Sequence, residues 1–144
     1  MKTAILDTTH LHAVANLEAL CFHNPWSETA LTHLLKEKNF GIVALEDGEV
    51  LAYVGLVGAL DEGEITNVAT HPNHRRKGAA RAALLALLDE AKARGLCRVT
   101  LEVRESNTPA QALYSSLGFS PCGTRKGFYQ NPRENALVLE KTIN

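Results

Sequence analysis

Cysteine is scarce in this 144-residue chain, and neither sign of charge is in clear excess. Cys21, Cys97 and Cys122 lie far apart and form no Cys-x-x-Cys pair, which argues against a disulfide framework or a zinc site. We expect reduced, mostly buried thiols. The formal net charge of −1 argues against a general nucleic-acid surface, because such affinity comes from many Lys and Arg contacts to phosphates.

Long apolar runs and linkers are also missing. No uninterrupted apolar segment approaches the length that spans a membrane, and Asp7 comes too early for the apolar core of a signal peptide. We therefore expect a cytoplasmic protein without membrane association. A hydrophobic content of 45% is enough for one compact core, and a chain of 144 residues is too short for two. Residues 1–144 should therefore form a single domain.

The apolar spacing alternates between strand and helix periods in the order β-α-α-β-β-β-α-β-α-β-β, an α/β fold with a mixed central sheet. The predicted strands are 3–6, 40–46, 49–60, 64–70, 98–103, 119–125 and 136–142, and the predicted helices are 9–21, 28–37, 79–94 and 109–117. The helix 79–94 joins strands 64–70 and 98–103, a crossover that makes them parallel. Ligands bind beyond the carboxyl ends of such strands.

A short basic loop follows the first of those ends. Arg75-Arg76-Lys77-Gly78-Ala79-Ala80-Arg81 tightens at a glycine and opens an alanine-rich helix, so that backbone N–H groups and the positive end of the helix dipole point to one place. That combination suits a pyrophosphate. No Gly-Lys-Ser/Thr follows, which excludes a Walker loop, and one glycine of three makes a poor dinucleotide fingerprint. Taken alone, the loop is also compatible with a solvated helix cap.

Several further motifs match one family in order along nearly the whole chain. They are His71-Pro72, the loop Arg75-x-x-Gly78-x-Ala80, Leu101-Glu102-Val103-Arg104 through Asn107, Ala112-Leu113-Tyr114 and Leu117-Gly118-Phe119. Together they resemble the GNAT acetyltransferase superfamily. The segments Pro25-Trp26-Ser27-Glu28, Thr66-Asn67-Val68-Ala69 and Tyr129 … Glu134-Asn135-Ala136 resemble its RimI-like branch, the ribosomal-protein alanine N-acetyltransferases. Thr70 and Asn135 depart from that branch, which has valine and aspartate there.

The resemblance implies acetyl-coenzyme A as co-substrate and no metal. It implies that the backbone of Val68, Ala69 and Thr70 pairs with the pantetheine arm, with one N–H near Val68 polarising the thioester. The pyrophosphate would be held by Arg76, Lys77, Gly78, Ala79, Ala80 and Arg81. Asn107 would contact the far side of the cofactor.

The candidate catalytic residues are a carboxylate and a phenol. Glu102 is a carboxylate in the otherwise apolar strand 98–103, and the resemblance places the general base there; an ion pair with Arg98 or Arg104 is the structural alternative. Glu64 is the rival base. Tyr114 is the candidate general acid, because a phenol keeps its proton at neutral pH, although it could also be a core aromatic.

The resemblance implies that the acceptor is a protein N-terminus, the alanine of a small-subunit ribosomal protein, whose amine attacks directly in a ternary complex. An α-amine suits a weak base, since near pH 7.4 roughly a third of it is neutral against about a thousandth of a lysine. The acidic residues Glu28, Asp61, Glu62, Glu64 and Glu105 suggest a basic N-terminal segment. A small-molecule amine acceptor and a non-catalytic acyl-coenzyme A sensor remain alternatives.

Overall fold

The computed structural model describes residues 1–143 and shows one seven-stranded sheet covered by helices on both faces. The strands are β1 (Lys2–Ile5), β2 (Phe40–Glu46), β3 (Glu49–Ala59), β4 (Glu62–Thr70), β5 (Arg98–Arg104), β6 (Ser120–Tyr129) and β7 (Glu134–Thr142). The helices are α1 (Leu11–Cys21), α2 (Glu28–Leu31), α3 (Ala79–Ala93) and α4 (Thr108–Ser116). The predicted element order is confirmed.

The sheet runs in the order β1-β2-β3-β4-β5-β7-β6. Its only parallel pair within the described residues is β4 with β5, joined by α3 as the crossover rule requires. All other neighbours are antiparallel. The sheet is therefore mixed, as expected, and its single parallel pair lies at the centre.

Two turns show why the chain changes direction where it does. Asp47 and Gly48 adopt φ of 52° and 78°, the left-handed pair that a two-residue hairpin between β2 and β3 requires. The segment predicted as one helix, 28–37, instead shortens to α2 followed by a 3₁₀ turn, Thr32–Leu35. There the carbonyl of His33 accepts from the Asn39 side-chain amide at 2.8 Å and from Lys36 N at 3.3 Å. Those bonds turn the chain toward β2.

The helices divide the core into two clusters, one on each face of the sheet. Residues of α3 and α4 pack against one face, together with Ile65 of β4 and Val99, Leu101 and Val103 of β5. Residues of α1 and α2 pack against the other face, over β2, β3 and the end of β4. Within residues 1–143, α1 and α2 do not pack over β5, so the face of β5 opposite α3 is only partly buried.

The thiols differ from the expectation. All three cysteines are free, but Cys97 and Cys122 are exposed and only Cys21 is partly buried. The prediction of mostly buried thiols is therefore wrong. Cys97 lies in the connection between α3 and β5, and Cys122 lies on the edge strand β6, two places that the core does not cover.

Candidate active site

The central feature of the site is a cleft where the two parallel strands part. β4 and β5 pair from Glu62 with Arg98 to Ile65 with Leu101, yet β4 continues to Thr70 and β5 to Arg104. On β4 a bulge lies at the point of parting, because Ile65 pairs with Leu56 and Asn67 with Gly55, leaving one extra residue, Thr66. Two strand edges consequently diverge at the carboxyl ends of the parallel pair.

The last residues of β4 present to this cleft backbone N–H and C=O groups that are not paired with another strand. His71 donates its N–H to the Leu51 carbonyl at 2.8 Å, which makes that position a hydrogen-bonded pair of the β3–β4 ladder. Because such pairs alternate, the backbone of Ala69 faces β3 while that of Val68 and Thr70 faces the cleft. The carbonyl of Thr70 accepts from the Cys21 thiol at 3.3 Å. Of the three predicted backbone contacts, two therefore point into the cleft.

The basic loop leads from β4 into α3. Gly78 is the N-cap of α3 with φ of 78°, and no side chain caps that helix. Arg76 also has positive φ, at 65°. The first intrahelical hydrogen bond runs from Ala82 N to the Gly78 carbonyl at 2.9 Å. The backbone N–H groups of α3 before Ala82 therefore have no intrahelical acceptor. The start of α3 thus presents free backbone N–H groups without a side-chain cap, the geometry that an anion site requires.

Three other predicted ligand residues have partners of their own. Lys77 Nζ lies 3.2 Å from His74 Nδ1, and Arg81 donates to the Ser116 hydroxyl at 2.8 Å. Asn107 is the N-cap of α4, where its side-chain oxygen accepts from Ala110 N at 3.2 Å. Asn107 therefore fixes the start of α4 regardless of any ligand.

Two carboxylates share the face opposite α3. Glu64 pairs in register with Thr100, and Glu102 lies two residues further along β5, so both side chains project on the same side of the sheet. Burial raises the pKa of Glu102, and the negative charge of Glu64 raises it further. The side chain of Glu102 is only 15% exposed. This is the environment of a general base with a raised pKa.

The cation beside Glu102 is neither of the two arginines considered from the sequence. Arg125 Nε of β6 lies 3.4 Å from Glu102 Oε1. Arg98 instead pairs with Glu62 and Glu140, at 2.9 and 2.7 Å, and Arg104 pairs with Glu134 at 3.1 Å. The predicted alternative, in which Arg98 or Arg104 neutralises Glu102, is wrong. Both arginines project from the same strand as Glu102, and each is drawn to acidic residues on neighbouring strands.

Tyr114 lies on the α3 side of the sheet. Its ring packs in the core and meets Phe119 edge-on, with 6.0 Å between ring centroids. Burial raises its pKa to about 12, and Tyr129 contributes. The phenol therefore stays protonated throughout the neutral range, as a proton donor requires. The core-aromatic and acid roles are compatible here, because the ring packs while the hydroxyl has no hydrogen-bond partner within residues 1–143.

The sequence matches the acetyltransferase (GNAT) family over residues 11–119. The chain belongs to that family. It is 35% identical to the ribosomal protein bS18-alanine N-acetyltransferase of Escherichia coli K12, over 96% of this chain and 95% of that protein. It is also 35% identical to a putative enzyme of the same name from Bacillus subtilis, over 96% and 91%.

Solved structures agree with the family assignment. The fold superposes on the ribosomal-protein-S18-alanine N-acetyltransferase from Escherichia coli with a TM-score of 0.87, covering 99% of this chain and 95% of that one at 35% identity. An aminoglycoside 6′-N-acetyltransferase complexed with coenzyme A gives a TM-score of 0.85 at 12% identity, covering 100% and 98%. The second likeness shows the GNAT fold alone.

Within this GNAT fold, Tyr129 links the two sides of the cleft. Burial raises the pKa of Tyr129, and the Glu102 carboxylate raises it further; Tyr129 in turn adds to the raised pKa of Tyr114. The guanidinium of Arg104 lies over the Tyr129 ring, 4.5 Å from its centroid. Tyr129 entered the sequence argument only through family likeness. Its position beside Glu102 depends on the β6–β7 pairing, which the sequence does not reveal.

An irregularity in β6 brings Arg125 and Tyr129 to the site. Arg125 pairs with Ala136 and Tyr129 with Glu134, so β6 has two more residues than β7 between those pairs. Gly127 has φ of 62° in this bulge, and its N–H donates to the Asn135 side-chain oxygen at 2.9 Å. Asn135, a departure from the RimI-like pattern, therefore holds the bulge. This is also why β6 extends beyond the predicted end at 125.

A buried carboxylate supports the opposite wall of the cleft. Glu18 of α1 is 1% exposed and accepts hydrogen bonds from Trp26 N at 2.9 Å, from Asn67 Nδ2 at 3.2 Å and from the Tyr53 hydroxyl. Burial and this bond to Glu18 raise the pKa of Tyr53. Asn67 directly follows the bulge residue of β4. The network thus ties α1 and the Trp26 segment to the strand that forms the cleft.

Within residues 1–143 no group of three or more His, Cys, Asp or Glu side chains is arranged to hold a metal ion. No helix in that range is long and apolar enough to cross a membrane.

Proposed function

We propose that this protein transfers the acetyl group of acetyl-coenzyme A to the N-terminal α-amine of a protein, and that the acceptor is the N-terminal alanine of a small-subunit ribosomal protein. The observation that carries the chemistry is the parting of β4 and β5 with Glu102 at its edge. The acceptor rests on 35% identity, over nearly the full length of both chains, to enzymes named for alanine acetylation of ribosomal protein bS18.

The chain offers a binding surface that fits the coenzyme. The Val68 backbone and the Thr70 N–H are not paired with another strand, as an added extended ligand requires, while the Thr70 carbonyl accepts from the Cys21 thiol. The uncapped start of α3 supplies amides for a pyrophosphate, with side-chain charge from Arg76, Lys77 and Arg81. Gly78, Ala79 and Ala80 let a ligand approach the backbone, and Ala69 keeps β4 paired to β3. Asn107 contributes through its place at the start of α4.

The catalytic roles follow from the two sides of the cleft. Bound acetyl-coenzyme A would supply the thioester that the acceptor amine attacks. Glu102 accepts a proton from the ammonium form of the amine, directly or through water, and its raised pKa makes it a better base near neutral pH. The Val68 N–H points into the cleft, where it can stabilise negative charge on a carbonyl oxygen. Tyr114 holds the proton that a departing thiolate needs.

The proposal includes three broader statements. Residues 1–144 act as one N-acetyltransferase domain, since the coenzyme loop before α3, Glu102 on β5 and Tyr114 on α4 all lie around one sheet. The protein works in the cytoplasm, where its ribosomal acceptor is made, and it needs no metal ion. The acidic side chains near the cleft, Glu64 and Glu102 among them, favour a cationic acceptor.

A free-thiol release assay tests this function. Purified protein is mixed with acetyl-coenzyme A and a panel of peptides beginning with alanine, together with polyamines and amino sugars. We expect thiol release that depends on an alanine N-terminus. Release with small amines alone would make the protein a small-molecule acetyltransferase. Tight coenzyme binding without release for any acceptor would make it an acyl-coenzyme A sensor.

A further inference from the structure

Among the described residues, 1–143, the cation that pairs with the candidate base Glu102 belongs to an exposed side chain. Arg125 Nε lies 3.4 Å from Glu102 Oε1, and the Arg125 side chain is 60% exposed while that of Glu102 is 15% exposed. The guanidinium carbon also lies 5.6 Å from the ring centroid of Phe128, which is an exposed neighbour on β6. Because the guanidinium side of this pair is exposed to solvent, the pair contributes little to stability and opens readily.

The Glu102 carboxylate must also bind the α-amine of the acceptor. An α-amine is mostly protonated at neutral pH and arrives as an ammonium ion. Within residues 1–143, the charged and titratable groups near Glu102 are Glu64 from β4 and Arg125 and Tyr129 from β6. Among these, only Arg125 is cationic, so guanidinium and ammonium would compete for one anionic position.

We propose that Arg125 is the resident counter-ion of Glu102 and that the acceptor's α-ammonium group displaces it on binding. The inference rests on the proposed function and adds a residue to it. Before the acceptor binds, the guanidinium partly offsets the negative charge of two neighbouring carboxylates, Glu64 and Glu102. Afterwards the ammonium takes that place, and Arg125 swings toward solvent. Arg125 is thus a positioning residue for the acceptor and not a catalytic one.

The position of Arg125 also has structural support of its own. It is the last residue of β6 paired in register before the bulge that Asn135 holds at Gly127. Its backbone is therefore fixed while its side chain is exposed. That combination suits a group that must return to the same carboxylate after each turnover.

The consequences for Glu102 have a definite sign. Loss of the Arg125 charge removes the influence that lowers the pKa of Glu102, while burial and Glu64 continue to raise it. The Arg125→Gln variant should therefore raise the pKa of Glu102. With no competing cation, the KM for a cationic acceptor at low ionic strength should fall roughly two- to fivefold. Arg125→Lys should behave like the parent.

The experiment is a carboxyl NMR titration of protein labelled with ¹³C at the glutamate side-chain carboxyl, with Glu102→Gln used to assign the signal. Lys126→Gln is the matched control, because it removes the same charge from the adjacent exposed residue of β6. We expect the Glu102 midpoint to rise in Arg125→Gln and to stay unchanged in Lys126→Gln. Equal midpoints in the two variants would overturn the proposal. This readout needs no turnover, so it stays separate from failure of the acetyltransferase assignment.

Displacement is tested on the parent protein through the Arg125 Nε–H signal, assigned with Arg125→Lys. A tetrapeptide beginning Ala-Arg is added, and the same peptide with an acetylated N-terminus serves as the control. We expect only the free-amine peptide to shift the signal toward that of a solvent-exposed guanidinium. A shift with both peptides, or with neither, would overturn displacement.

Discussion

Glu64 and Glu102 project from adjacent parallel strands onto the same face of the sheet, and the charge of Glu64 raises the pKa of Glu102. The two carboxylates were rival candidates for the base, and the structure gives them different surroundings. Glu102 lies beyond the last paired residues of β4 and β5, at the edge of the cleft, whereas Glu64 lies in the paired part. Geometry therefore favours Glu102 as the base and Glu64 as a neighbour that tunes it.

Substitution of each carboxylate tests this division. Glu102→Gln should lower kcat/KM for an alanine peptide by about a hundredfold or more, the usual contribution of a general base. Glu64→Gln should retain activity and move the acidic limb of the kcat/KM profile to lower pH, because it removes a charge that raises the pKa of Glu102. The measurement is a pH profile from thiol release. A larger loss in Glu64→Gln than in Glu102→Gln would reverse the roles.

The phenol at the other side of the cleft is tested by removing one oxygen atom. Tyr114→Phe should lower kcat by about a hundredfold through loss of the general acid and leave acetyl-coenzyme A affinity near that of the parent. Because the Tyr114 pKa is about 12, ionisation of this phenol should produce no loss of activity between pH 7 and 9. Steady-state kinetics with calorimetry separates the two effects. Unchanged kcat would leave Tyr114 as a core aromatic.

The turn before α3 is tested at Gly78. A methyl group at this position meets no atom within 4 Å, so Gly78→Ala adds only the backbone cost of a positive φ, roughly 1–2 kcal/mol. We expect weaker coenzyme binding by calorimetry and a lower melting temperature. Gly123→Ala is the control, since that site is equally open and lacks a positive φ. If both variants bind the coenzyme like the parent, the loop does not depend on this conformation.

The buried Glu18 network is tested through Tyr53. Tyr53→Phe removes one of three donors to a carboxylate that is 1% exposed, so the free energy of unfolding should fall by about 1–3 kcal/mol. Urea denaturation measures the change. Tyr114→Phe is a control, because the Tyr114 hydroxyl makes no hydrogen bond within residues 1–143 and is not a buried unsatisfied group. Equal stability of the Tyr53 variant and the parent would mean that water or a rearranged Asn67 satisfies Glu18.

Local signals in the sequence were enough to predict most of the fold. Asp47-Gly48 marked the hairpin, Gly78 marked the start of α3, and the β4–α3–β5 crossover predicted the one parallel pair. The helix predicted over 28–37 is longer than the observed α2. The hydrogen bond from the Asn39 side chain, which turns the chain after His33, comes from a residue outside the predicted range.

The candidate site was only partly accessible from the sequence, for a related reason. Glu102 and Tyr114 could be named from their own segments only with the help of the family resemblance. Arg125 reaches Glu102 only through the pairing of β6 with β7 and the bulge held by Asn135, which are long-range features. Local pattern does not encode which strand will lie beside which. The sequence therefore offers Arg98 and Arg104 as alternative partners of Glu102, whereas the partner in the fold is Arg125.

The most direct test of the account uses one peptide with two kinds of amine. A peptide that begins with alanine and contains one internal lysine is incubated with the protein and acetyl-coenzyme A, and tandem mass spectrometry locates the added acetyl group. We predict acetylation of the alanine α-amine, with none at the lysine, because Glu102 is a weak base suited to the more acidic ammonium. Acetylation of the lysine, or of neither amine, would contradict the account.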